Sequence, residues 1–252
     1  MRAFAALAMA LVGALVLVLA TVANPPVRAE EEAGEGSIER GERLYQANCV
    51  TCHGAEGEGV EGWPAIAGSG EAAADYQLRT GRMPFAQQRG EQAQRKPVAY
   101  NEQEIRDLVA FVTSLGEGPE IREYRIDEEL IPRGQQLFSL NCAPCHGAGG
   151  NGGAVGGGAI AWPLTESEPR IVSDAMTHGP GQMPVFDLAQ DDFNATITYV
   201  EYLRTAENPG GFAIGGIGPV PEGFVAWLLG MGLLTVIVVL VGRAWESRKG
   251  SA

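Results

Sequence analysis

Positive charge is scarce in this sequence: 18 Lys and Arg stand against 31 Asp and Glu over 252 residues, a net charge of −13. Such an excess repels a phosphate backbone and excludes DNA and RNA as partners. Cysteine and histidine are few, four and three. Four cysteines are too sparse for a disulfide-stapled scaffold of this length. The Gly-rich run 152–158 lacks the Lys and Ser/Thr of a phosphate-binding loop and reads as flexible backbone. No Ser or Cys nucleophile is set with His178 in a recognisable elbow, so no catalytic constellation is visible. What is present in quantity is apolar residue, 45%, which excludes a wholly disordered chain and allows a buried core.

Charge and apolarity are segregated. Residues 30–219 hold 29 acids and 13 bases, whereas the two ends together are net +3. Uncharged runs occupy 3–23 and 224–242. As a helix the second run rises about 28 Å, close to the ~30 Å hydrocarbon core of a bilayer. Pro219 and Pro221 are expected to stop structure before it, Trp227 and Trp245 sit where interfacial aromatics belong, and Arg243, Arg248 and Lys249 follow. That asymmetry predicts a transmembrane helix at 224–242, a cytoplasmic tail at 243–252 and an acidic body on the extracytoplasmic side of the cell membrane. Residues 1–29 read as a signal peptide or an N-terminal anchor, with Val27-Arg28-Ala29 or Thr21-Val22-Ala23 as a cleavage site if it is a signal. Either choice exports the body.

All four cysteines fall into two copies of one pattern, Cys49-Val-Thr-Cys52-His53 and Cys142-Ala-Pro-Cys145-His146. Cys-x-x-Cys-His is the attachment sequence of c-type haem: two thiols on one turn bond the two vinyl groups of a porphyrin, and the adjacent His becomes the proximal iron ligand. The sequence therefore predicts two covalently bound haem c groups. A thioredoxin-like redox pair would need a strand before it and an open thiolate, but residues 37–48 read as a helix. A structural zinc site is the other alternative.

The motifs lie inside a repeat. Gly41 through Leu44, Tyr45, Asn48 and Cys49 align with Gly134 through Leu137, Phe138, Asn141 and Cys142 at a constant offset of 93. Each motif is followed by a Gly-rich stretch, a Met-Pro pair and a helical pattern. The first such helix is expected at 101–115, capped by Asn101 with Glu104 three residues on, and the second at 192–204. Gly41 and Gly134, one turn before Tyr45 and Phe138, would let a C-terminal helix cross closely over the N-terminal one. A haem supplies apolar bulk that a domain of ~90 residues otherwise lacks. The fold expected is all-α: two tandem class I-like c-type cytochrome domains at 37–118 and 133–206, a polar linker at 119–132 and a Gly/Pro-rich connector at 207–223, together with the two apolar segments.

An iron that only carries electrons needs a sixth ligand, usually Met or His. Met83 is the only Met between His53 and the linker. The second domain offers Met176, His178 and Met183, of which Met183 shares the Met-Pro context of Met83-Pro84. With both axial positions filled, each iron transfers electrons and leaves no site for substrate.

The chain resembles the dihaem cytochrome cc subunit of the actinobacterial-type menaquinol:cytochrome c reductase, the cytochrome bcc complex. The likeness rests on the N-terminal apolar segment, both Cys-x-x-Cys-His domains, Thr80-Gly-Arg-Met-Pro84, Gln182-Met-Pro184, and the stretch 209–223 before the anchor. It implies an electron-transfer subunit of a quinol–cytochrome-c reductase, with Cys49, Cys52, His53, Met83, Cys142, Cys145, His146 and Met183 as haem-binding residues. It further implies three partners: a cytochrome b subunit, a Rieske iron-sulfur subunit and a haem-copper cytochrome c oxidase. By the same analogy the first domain faces the oxidase and the second the Rieske protein. The rival readings are a membrane-anchored dihaem carrier for another dehydrogenase or reductase, and a dihaem peroxidase.

Overall fold

The computed structural model describes residues 34–84, 93–206 and 219–249. The N-terminal segment, read as signal or anchor, lies outside the described residues.

The first repeat begins with α1, Ile38–Asn48, whose N-terminus is capped by the Ser37 side chain accepting from the Arg40 amide. A one-turn helix, α2, Val50–His53, carries the first haem-attachment motif directly off its end. Next comes α3, Glu71–Arg79, and then α4, Glu102–Ser114, which shows the expected capping box between Asn101 and Glu104. The second repeat follows the same order: α5, Ile131–Asn141, and the one-turn α6, Ala143–His146. Helices α7, Pro169–His178, and α8, Gln190–Thr205, complete it.

The crossing of first on last helix is the frame of each repeat. A Cβ on Gly41 would land on the Asp107 carbonyl oxygen of α4, and one on Gly134 on the Ala195 carbonyl oxygen of α8. Only hydrogen at those positions lets the backbones approach so closely. Above each crossing an aromatic pair packs, Tyr45 on Phe111 at 5.0 Å and Phe138 on Tyr199 at 5.3 Å between centroids. The first core gathers Ile105, Leu108 and Val112 of α4 around Tyr45; the second gathers Phe193, Ile197 and Val200 of α8 around Phe138.

One correction concerns the all-α expectation. The glycine-rich run holds a short antiparallel hairpin, β1 Gly153–Gly156 with β2 Ala159–Ala161. Gly156, Gly157 and Gly158 all have positive φ, so the run that looked like flexible backbone makes a tight reversal. The remaining described elements are helical, apart from a 3-10 turn at Glu128–Leu130.

The polar stretch between the repeats is strapped down rather than free. Arg122 donates to the Leu188 carbonyl at 2.6 Å and its guanidinium lies 4.0 Å from the Phe193 ring centre. The Asp127 amide donates to Thr198 and the Arg125 amide to Asn194, both on α8.

The last helix, α9, spans Pro219–Lys249, and its segment Gly223–Arg243 has a mean hydropathy of 2.7 with none of it buried. Its 21 residues rise about 32 Å, enough to cross a bilayer. The helix begins at Pro219 and includes Pro221, where the sequence suggested that both prolines precede it. First-turn amides have no intrahelical acceptor, so proline costs nothing there.

Candidate functional site: two haem-attachment centres

Each Cys-x-x-Cys-His motif sits where the long first helix of its repeat ends and a single further turn begins. The turn places both thiols on one side and sends the His inward. His53 is 8% exposed, and its Nδ1 lies 2.9 Å from the Pro64 carbonyl oxygen; His146 Nδ1 lies 3.0 Å from the Trp162 carbonyl oxygen. A carbonyl can only accept, so Nδ1 carries the proton in both rings and Nε2 presents its lone pair, as a metal-bound imidazole requires.

The loops that supply these carbonyls are themselves repeated. The Gly59 amide donates to the His53 carbonyl, and the Gly152 amide to the His146 carbonyl, 93 residues on. The Ile66 amide donates to Gly57, and the Leu164 amide to Gly150. The sequence reading missed Pro64 and Trp162. A Trp-Pro dipeptide in both loops, Trp63-Pro64 and Trp162-Pro163, was the available signal.

All four thiols are unpaired. Burial, followed by the neighbouring Cys, pushes the Cys49 and Cys142 thiols up to about 11. Cys49 and Cys142 held protonated in this way lack the open, low-pKa thiolate of a redox pair. Among the described residues, no three of His, Cys, Asp and Glu converge as a metal cage would need.

The second repeat contains a cavity of about 370 Å³. Cys142, Cys145 and His146 line it, as does Met183, and Leu164, Ile171, Val172 and Val200 give it apolar walls. A roomy apolar slot bounded by two thiols, an oriented imidazole and a thioether fits a porphyrin. Of the other candidates, Met176 also lines the cavity, while His178 does not: its Nδ1 donates to the Asp174 carbonyl at 2.7 Å and its ring packs on Tyr76 at 4.8 Å. Burial lowers the His146 and His178 imidazoles below the ordinary histidine value. In the first repeat Cys49 and Met83 pack against the same core around Tyr45. The Tyr45 hydroxyl donates to the Gly54 carbonyl at 2.8 Å, and burial pushes its phenol up to about 12.

Two helices that the sequence reading did not single out bring the repeats together. On α3, Asp75 pairs with Arg79 at 2.8 Å and, across the junction, with Arg170 of α7 at 3.0 Å. Asp174, fully buried on α7, lies 3.4 Å from Arg170. Burial and the adjacent Asp75 carboxyl raise its carboxyl to about 8. Tyr76 packs with Ile171 and Ala175 against Met183.

Comparison with known proteins agrees with this geometry. Residues 38–116 match the cytochrome c family, and residues 129–200 the family described as cytochrome c oxidase, cbb3-type, subunit III. The chain is 37% identical to the cytochrome bc1 complex cytochrome c subunit of Mycobacterium tuberculosis (strain ATCC 25618 / H37Rv), over 87% of this chain and 85% of that protein. It is 34% identical to the protein of the same name from Corynebacterium diphtheriae, over 94% and 92%. Reduced recombinant cytochrome c4 from Pseudomonas stutzeri aligns with 66% of this chain and 98% of its own at 21% identity, with a TM-score of 0.26. Two cytochrome c domains, each with a Cys-x-x-Cys-His turn, carry two covalent haem c groups. The chain is an electron carrier and belongs to the family of cytochrome c subunits of the cytochrome bc1 complex.

Proposed function

We propose that this chain relays electrons from a Rieske iron-sulfur protein to a haem-copper cytochrome c oxidase, alongside a cytochrome b subunit that oxidises menaquinol. The observation that carries this reading is the second-repeat cavity, which His146 and Met183 line among apolar walls and which suits an iron held by two side chains for electron transfer. Bound haem supplies a one-electron couple, and thioether ligation raises its potential. His53 and Met83 would hold one iron and His146 and Met183 the other, with Cys49, Cys52, Cys142 and Cys145 as the covalent tethers. The haem domains, 37–118 and 133–206, lie on the extracytoplasmic face, with α9 as the anchor and the tail after 242 in the cytoplasm. The first domain faces the oxidase and the second the Rieske protein.

Purification from native membranes in mild detergent tests this assembly. Cytochrome b, Rieske and oxidase subunits are expected in the fraction that carries the c-type absorbance. A dihaem chain that elutes without any of them, from membranes where quinol oxidation is intact, would overturn the assignment.

A further inference from the structure

Arg82 is buried, 6% exposed, in the segment between α3 and Met83. It belongs to the first repeat, yet it lines the cavity of the second, the one containing Cys142, Cys145 and His146. Among the described residues no other Arg or Lys lines that cavity. Its guanidinium lies between two rings from different repeats, 4.8 Å from the Tyr76 centroid and 5.5 Å from that of Trp162. Trp162 is also the residue whose carbonyl orients His146. One terminal nitrogen, Nη1, is buried without a hydrogen-bond partner, and no carboxylate among the described residues pairs with this side chain.

A guanidinium cannot shed its proton in a protein. Buried beside Tyr76 with no carboxylate partner among the described residues, it is costly, so in the finished protein it calls for an anion. The group that fills this cavity brings two: haem carries two carboxylates on the ring edge opposite the vinyl groups used for the thioethers. Arginine's planar fork suits a carboxylate in particular. Gln77, on α3, reaches the same cavity with a buried, unpartnered Oε1.

We propose that Arg82 of the first domain binds a carboxylate of the haem held by the second, so that the second haem site is incomplete without its neighbour. This rests on the two-haem assignment and goes beyond it. A fixed cation beside the second haem disfavours its ferric form, which carries one more positive charge than the ferrous, and so raises its potential.

The test uses the full-length holoprotein. Arg82→Gln and Arg82→Lys are compared with wild type by redox titration, and Met183→His marks the second-domain step by moving it. Arg82→Gln is expected to change the second-domain redox equilibrium about tenfold, a fall of about 59 mV for one electron. The first-domain step should move by less than half as much. Arg82→Lys, which keeps the charge and loses the fork, should recover most of the fall. A second-domain step that stays put, or a larger shift on the first-domain step, overturns the proposal. Should the Gln variant not mature, Lys is read by the same criterion: its smaller shift must fall on the second-domain step. A pyridine haemochrome count of two haems per chain keeps the cytochrome reading intact in either case.

Discussion

Asp174 sets the sign of a pH effect. Held among Asp75, Arg79 and Arg170 and pushed up to about 8, it keeps its proton in the folded protein. The unfolded chain releases that proton near ~3.9. Between those values the folded state binds more protons, so stability declines as pH rises and the loss is complete above the folded value. Asp174→Asn is expected to abolish this decline, raising the melting temperature at pH 8 by about 2–4 °C relative to wild type, with little change near pH 4. Calorimetry at both pH values checks it; equal shifts at the two would contradict the account. Asp107 behaves oppositely: the Arg40 guanidinium, 2.6 Å away, holds its carboxyl down to about 2. Its contribution is present above the unfolded value and is lost as pH falls through about 2. At the proposed axial ligands, Met83→His and Met183→His should each lower one redox step by at least tenfold, about 59 mV. Each should also remove part of the weak far-red sulfur-to-iron band. An unchanged titration would remove that methionine from the iron.

Helix crossings carry the next set of consequences. Because α1 meets α4 through Gly41, and α5 meets α8 through Gly134, a methyl group at either site must push two backbones apart. Gly41→Ala and Gly134→Ala should each destabilise the protein by about 3 kcal/mol, at the upper end of overpacking costs, read as a lowered melting temperature and reduced haem incorporation. Gly230→Ala, in α9 with nothing near its added methyl, serves as the neutral comparison. These crossings were legible in advance, since the 93-residue offset aligned Gly41 with Gly134 and Tyr45 with Phe138. The capping box at Asn101 was legible for a similar reason: it is a short-range pattern closed within one turn. Helices α3 and α7 were not. They are short, and their buried faces carry polar side chains, Asp75 on α3 and Ser173 and Asp174 on α7, which a sequence pattern assigns to solvent.

The assembled chain has an acidic, globular two-haem body and an apolar helix whose described face is wholly exposed. Water does not tolerate 21 such residues, so membrane anchoring follows from α9. Residues 34–206, expressed behind a cleavable export signal in cells that mature c-type cytochromes, are expected to be soluble and to bind two haems per chain. Fractionation and a pyridine haemochrome assay report both properties. A body that stays in the membrane would point to a further contact surface. The Asp75–Arg170 pair, and a linker bonded to Glu71 of the first repeat and Thr198 of the second, should make the two repeats unfold as a single transition in the same preparation; two resolved transitions would show that the junction is weak.

Attachment chemistry, repeat, anchor and family were readable from residue order because each depends on local spacing: two thiols and an imidazole on one turn, a fixed offset, an unbroken apolar run. Other features needed the folded chain. That Pro64 and Trp162 orient the His53 and His146 rings, and that Arg82 crosses into its neighbour's cavity, are contacts made by folding and not by spacing within one turn. Spacing reports which groups share a turn; packing of one helix on another selects which distant group meets them, and no local pattern encodes that meeting.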